Sequence, residues 1–322
     1  MKNVIRFAAG SALFFLSQAA SAQPSASWPV KSVRFVVAFA PGGPADVVAR
    51  LVGIKLTEAL GQQVVVENRG GAGGNIAAAL VAKAAPDGYT ALVTTSAFAV
   101  NVSLFANPGY EERDFIPVVN VATQPNLIFV NTNFPAKTLA EMLSIAKNGK
   151  LSFASPGSGT TPHLTGENLF KVIAKVDVPA IHFSGAGPAA VALVAGEPPV
   201  GSLAPTAALP HVRSGKLRAL AVASATRMAV LPDVPTFAEA GVRSVEDYTW
   251  TGIFLPAGTP PAIVQKLNEM VDRTIQIPDI RERLAAQALE PVGGSQRQFA
   301  DYVKAEIVKW GRVVREAGIK SE

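Results

Sequence analysis

Short apolar runs alternate along this chain with longer stretches whose apolar positions recur at helical spacing. Val33 to Ala38 is rich in β-branched residues and predicts a strand, and Ala45 to Leu60 follows with a helical period. Val64 to Glu67 and Ala91 to Thr94 repeat the strand pattern, with a helix from Asn75 to Ala84 between them. Leu127 to Val130, Leu151 to Ala154, Ala180 to Phe183, Val200 to Leu203 and Leu217 to Ala223 predict strands separated by helices near Leu139 to Lys147, Pro162 to Ile173, Pro188 to Ala195 and Ala208 to Ser214. After a strand at Gly252 to Leu255 the tail is helical: Pro260 to Gln276, Asp279 to Gln287 and Ser295 to Ala317. Such alternation predicts an α/β protein with parallel sheets covered by helices on both faces. Unbroken apolar runs such as Phe35-Val36-Val37-Ala38 fit strands buried on both sides.

About 300 residues suffice for two lobes, each with its own core. No Pro/Gly/Ser-rich linker separates two halves, so strands are expected to cross between them, near Val118 to Thr123 and near Ala221 to Ser224. On that division lobe 1 comprises residues 28–121 and 224–322, and lobe 2 residues 122–223.

Three strand ends share one design, a glycine-rich turn followed by proline at the start of a helix. They are Phe39-Ala40-Pro41-Gly42-Gly43-Pro44-Ala45-Asp46, Ser155-Pro156-Gly157-Ser158-Gly159-Thr160-Thr161-Pro162-His163 and Phe183-Ser184-Gly185-Ala186-Gly187-Pro188. Proline suits a first helical turn, where its missing N–H would have had no partner. The remaining free N–H groups and the helix dipole make such a turn attractive to a carboxylate. In open α/β sheets ligands gather beyond the carboxyl ends of the strands, where all three turns lie. A tight strand-to-helix turn also needs glycine and proline for purely structural reasons, so a single loop says little and three say more.

Other residues admit two readings each. Asp46 suits the first helical turn as a dipole partner. Ser96 lines a cleft or caps a helix. Phe98 and Phe183 are core aromatics or cleft walls. His163 contacts an anion or caps its own helix. The run Arg69 to Asn75 has glycines enough for a phosphate cradle but neither GxGxxG spacing nor a Walker lysine, and reads as a structural turn.

The first residues set the compartment. Lys2 and Arg6 precede an apolar stretch, and Ala20-Ser21-Ala22 has the small residues of a cleavage site, predicting an exported chain with a signal peptide over residues 1–22. With no cysteine there is no lipid anchor, disulfide or thiolate chemistry. Loss of Lys2 and Arg6 lowers the formal charge from +5 to +3, a mild field that draws anions without selecting one. No basic run suggests nucleic acid, and His163, His182 and His211 lack metal-site spacing. Neither a nucleophile elbow nor a catalytic triad is visible, which disfavours an enzyme.

Several segments together resemble the Bug family, the substrate-binding proteins of tripartite tricarboxylate transporters. They include Phe39 to Asp46 with Arg50, Val66 to Ile76, Pro86 to Thr90, Gly215 to Ala221, Leu231 to Thr236 and Pro256 to Pro260. The resemblance implies a type II periplasmic-binding-protein fold, two doubly wound α/β lobes closing on ligand, with no cofactor and no metal. It also implies a monomer in the periplasm that hands a small carboxylate to membrane permease subunits. The implied grip falls on Gly43, Pro44, Ala45 and Asp46 and on Ser158, Gly159, Thr160, Thr161 and His163, with Ser96, Phe98 and Phe183 nearby. Where relatives have Pro-Tyr-Lys-Gly and Phe-Asp-Asn, this chain has His182-Phe183-Ser184-Gly185 and Ser202-Leu203-Ala204. A cation and an acid are thus both missing, so Ser184, Leu203 and Ala204 join the expected site, with Phe98, Phe183 and Leu203 as a rest for an apolar or aromatic distal half of the ligand. A secreted α/β enzyme and a sensor for a signalling receptor are the competing readings.

Overall fold

A computed structural model describes residues 28–242 and 245–317; the expected signal peptide lies outside them. The chain begins with β1 (Val33–Val37), α1 (Pro44–Leu60), β2 (Val64–Asn68), α2 (Asn75–Ala82), β3 (Thr90–Thr95), α3 (Ala97–Leu104) and the long β4 (Phe115–Pro125). One residue later β5 (Leu127–Asn131) opens a second sheet. It is followed by α4 (Leu139–Asn148), β6 (Phe153–Ser155), α5 (Thr161–Glu167), β7 (Ala180–His182), α6 (Ala186–Ala195), β8 (Val200–Leu203), α7 (Pro205–Arg213) and β9 (Leu217–Val222). The chain returns through β10 (Tyr248–Pro256) and ends with α8 (Pro261–Gln276), α9 (Pro278–Ala286), β11 (Glu290–Pro291) and α10 (Gln296–Ala317).

Two sheets result, ordered β11-β4-β10-β3-β1-β2 and β7-β6-β8-β5-β9. Only part of each is parallel: β1 with β2 and β3, and β6 with β7 and β8. β10 runs antiparallel to β3 and β4, and β5 antiparallel to β8 and β9. The expected parallel sheets are therefore mixed ones. β4 carries the chain out of the first sheet and β10 brings it back alongside, so the two must run in opposite directions.

The segment after β9 stays with the second sheet. Val222 bridges Thr236, Phe237 is buried in the core on one face of that sheet, and Met228, Leu231 and Val234 pack on the other. The chain re-enters the first sheet only at Tyr248, opposite Pro125.

α3 has no counterpart among the expected helices, for a physical reason. Ala97 to Val100, Asn101 and Leu104 are all buried, so the segment has no polar face and no amphipathic period to read. The helix expected over Pro162 to Ile173 is α5 continuing as a wider π turn over Asn168–Ala174, closed by left-handed Lys175. α10 is fixed to β10 by the buried Glu306 carboxylate, which accepts from the indoles of Trp250 (3.2 Å) and Trp310 (2.9 Å) and from Lys309 (3.0 Å). No helix among the described residues is long and apolar enough to cross a membrane.

Candidate functional site

The starts of α1, α5, α6 and α7 converge on a small cavity of about 20 Å³ between the two sheets. Pro44, Thr160, Pro162, Ala186 and Ala204 contribute to its walls from these four helix starts, with Gly43 ahead of α1. Thr95 and Thr249, at the ends of β3 and β10, and Phe39 and Pro156 from the loops after β1 and β6 complete it, and no charged side chain lines it among the described residues.

The first loop is shaped by Asp46. Its carboxylate accepts the Gly42 N–H (3.0 Å), Arg50 Nε (3.0 Å) and Asn68 Nδ2 (2.9 Å). Burial pushes the Asp46 carboxyl up, but the bonds from Arg50, Gly42 and Asn68 more than offset this and hold it below the ordinary range. The Asp46 side chain is thus committed to the loop and does not face the cavity as a ligand contact. Its main chain differs: the amides of Ala45 and Asp46 precede the first intrahelical bond, Val47 N–H to Gly43 O (3.0 Å).

The second loop spends more of its donors internally. Thr160 N–H donates to Gly157 O (3.2 Å), so it is not the free donor the sequence suggested. Its hydroxyl donates to the same carbonyl (2.8 Å) and accepts the His163 N–H (3.4 Å), an N-cap. Gly159 N–H donates to His163 Nδ1 (3.3 Å). The two readings of His163 therefore resolve to the cap: its ring is buried against Phe153 and His182 and braces the loop from behind. Thr161 N–H, at the first position of α5, and the Ser158 hydroxyl, buried without a partner, remain available.

Burial pushes the His163 imidazole down to about 3, helped by the nearby His182 and Lys171. The unfolded chain therefore binds a proton near the ordinary histidine value of about 6.5 while the folded chain stays neutral, so stability falls as pH drops below that value. The His163 contribution to the folding equilibrium constant should fall by about tenfold between pH 7 and 5.5, read as the difference between the wild type and His163→Asn, which keeps an acceptor for Gly159. Denaturant midpoints at both pH values check this.

The halves meet directly. Ser96 Oγ and Thr161 Oγ1 are 2.8 Å apart and Thr161 Oγ1 and Thr249 Oγ1 2.9 Å, all three side chains fully or nearly fully buried. Ala40 N–H donates to Ser184 O (3.0 Å), so Ser184 meets the first loop through its main chain. Glycine is required where the loops touch. A Cβ on Gly73 would lie 2.1 Å from Ser158 O, and one on Gly187 2.1 Å from Pro41 O. The run Arg69 to Asn75, read from sequence as an internal turn, is thus also a contact surface for the opposite half; its succession of positive-φ glycines was the visible signal.

Three expected cleft residues lie elsewhere. Phe98 stacks on Tyr110 (5.4 Å) and packs on Phe254 (4.6 Å) inside the first core, because α3 turns it inward. Leu203 is fully buried with Phe129 and Leu193 in the second core; strand alternation sends its neighbour Ser202 to the other face, where the hydroxyl donates to Pro162 O (2.6 Å). Phe183 is half-buried and lines an outer groove with Pro41, Val47 and Pro210. The apolar rest for a ligand's distal half is therefore not assembled. The sequence places Thr95 at a strand end that could line a cleft, as it does; sequence reasoning missed Thr249, which precedes the strand expected at Gly252 to Leu255.

Comparison with known proteins places this geometry in context. The family model described as "Tripartite tricarboxylate transporter family receptor" matches residues 48–319. BugT of Bordetella pertussis is 36% identical over 324 residues, 99% of each chain. Among solved structures, R. palustris Rpa4515 with adipate is 35% identical with a TM-score of 0.88, over 92% of this chain and 100% of that one. MatC of Rhodopseudomonas palustris with bound malate is 38% identical with a TM-score of 0.83, over 89% and 100%.

Proposed function

The chain belongs to the tripartite tricarboxylate transporter receptor family, and we propose that it captures a small aliphatic carboxylate between its two sheets and presents it to the membrane subunits of such a transporter. Lobe 1 is taken as residues 28–125 and 248–317 and lobe 2 as residues 126–242 and 245–247. The chain is exported by its leader and works in the periplasm as a monomer.

The observation that carries this reading is a cavity ringed by helix starts and free of charged side chains. The ligand carboxylate accepts from the amides of Gly43, Ala45 and Asp46 on one side and from Thr161 N–H and the Ser158 hydroxyl on the other. Each charge-assisted bond is worth about 1.5–3 kcal/mol net. Three of them, less the cost of ordering the ligand, support roughly micromolar binding. Phe39, Pro156 and Pro162 stand in the walls beside Ala186 and Ala204, and the little room left between them suits an unbranched chain better than an aromatic ring. A relative with adipate and one with malate are consistent with that class.

Calorimetry on the mature protein with adipate, malate, benzoate and aspartate tests the proposal. Heat from at least one of the two aliphatic acids, at low micromolar concentration and without turnover, is expected. Preference for benzoate or aspartate, or consumption of the acid, would replace this reading by another.

A further inference from the structure

We propose that Asp247, at the junction of the two sheets, is an uncharged carboxylic acid that donates a hydrogen bond to Thr165 and thereby positions the start of α5 for closure.

Asp247 lies where the chain passes between sheets. Asn126 N–H donates to Asp247 O (3.0 Å), and Asp247 N–H donates to Ala223 O (3.0 Å), so β4, β9 and β10 are tied together at this residue. Its side chain is part of a buried chain of polar groups that reaches the cavity: Asp247, Thr165, Asn126, Thr249, Thr161 and Ser96. A count of protons decides its charge. Thr165 Oγ1 stands within hydrogen-bond distance of Asn126 Nδ2 (3.1 Å), Thr161 O (3.0 Å) and Asp247 Oδ2. The amide donates to the hydroxyl, and the carbonyl can only accept. The single hydroxyl proton goes to Thr161 O, and the close contact with Asp247 then needs a proton from the carboxyl.

The other Asp247 oxygen supports the same state. Oδ1 is buried and meets no partner among the described residues. The carbonyl oxygen of a neutral acid tolerates that far better than half of a carboxylate does. Burial pushes the Asp247 carboxyl up to about 7, against the lowering that protons donated by Thr165 or Asn126 would exert. α5 and the β4–β5 junction present only the uncharged Thr165 and Asn126 to it. From α10, Lys309 favours the anion while Glu306 disfavours it, and the phenol of Tyr302 also faces the group. Lys309 is itself held by Glu306 at 3.0 Å, which blunts its pull.

The role in capture rests on the carboxylate reading above; the charge state of Asp247 does not, and is tested without ligand. The 13Cγ resonance of Asp247 in the mature protein should show a carboxylic acid at pH 6 and titrate near neutrality, and Thr165→Val should lower that midpoint. A carboxylate signal at pH 6 would overturn the proposal. The second measurement compares thermal or denaturant unfolding of the wild type and Asp247→Asn against pH. The folded acid titrates above its unfolded value of 3.8, so the contribution of this group to stability is lost as pH rises from about 4 to about 7 and then levels off. Asp247→Asn lacks that slope and should gain about tenfold in folding equilibrium constant relative to wild type between pH 5.5 and 7. Parallel profiles, or a profile of opposite sign, would overturn it. Should Asp247→Asn fail to fold, the resonance and its response to Thr165→Val still decide.

Discussion

Gly187→Ala should leave a folded protein that has lost about a hundredfold in carboxylate affinity. Gly187 is in the first turn of α6, and its close neighbours across the gap are Pro41 O, Pro41 C and Gly42 Cα, all from the opposite half. An added Cβ would sit 2.1 Å from the Pro41 carbonyl oxygen. Unlike the far end of a flexible side chain, a backbone oxygen cannot step aside cheaply, so the overlap is relieved by keeping the halves apart. Overpacking costs about 1–3 kcal/mol, and a rigid partner puts this case in the upper part of that range. Separating the halves would remove that contact. What remains locally is the strain of a Cβ ahead of Pro188 in helical backbone, which registers in the unliganded protein on its own. Calorimetry with a bound acid, melting temperature without it, and the radius of gyration with and without it separate the two effects. Weakened binding, a melting temperature within a few degrees of wild type and no compaction on adding acid are expected. Undiminished affinity would mean that capture does not require these loops to touch.

The layout of elements was legible because burial on both faces writes continuous apolar runs into β1, β3 and β5, and because α1, α8 and α10 carry one polar face each. Strand direction was not. The same run of apolar residues serves a parallel or an antiparallel neighbour, so nothing in Tyr248 to Pro256 announces that it lies between β3 and β4 in the opposite sense. α3 was hidden by being apolar all round. At the site, the glycine-proline turns were readable since their chemistry is local. The Asp46–Arg50 pair was within reach of a four-residue helical spacing, whereas Asn68, which completes it from β2, was not. Phe98 and Leu203 stand next to strand ends in the sequence, and adjacency there leaves open which face a side chain takes. His163 was undecided for a similar reason: its partner, the Gly159 amide, is close in sequence, but its packing against His182 and Phe153 comes from β7 and β6.

The contact between Ser96 and Thr161 supplies a different measure of closure. The two hydroxyls come from opposite halves, α5 on one side and the end of β3 on the other, and both side chains are fully buried. Thr249 donates to Asn126 Oδ1 (2.8 Å), which leaves it an acceptor for Thr161, and Thr161 in turn accepts from Ser96. Each proton thus has one destination. Thr161→Val keeps the shape, strands the Ser96 proton in the interior and removes a donor from Thr249. An unsatisfied buried group costs about 1–3 kcal/mol, so acid binding should weaken by about thirtyfold. Ser96→Ala removes the stranded donor itself and leaves Thr161 bonded to Thr249; a single net hydrogen bond of about 1 kcal/mol predicts roughly fivefold. The double variant should bind no more weakly than Thr161→Val alone, because the proton that made that change costly is gone. Multiplying losses, about 150-fold in the double variant, would instead mean two independent contacts with the ligand. Without acid the halves are free to open and water can reach both hydroxyls, so the coupling should shrink when the same cycle is read from denaturant midpoints of the unliganded protein. A coupling of equal size in both cycles would assign the pair to the stability of one lobe rather than to the meeting of two.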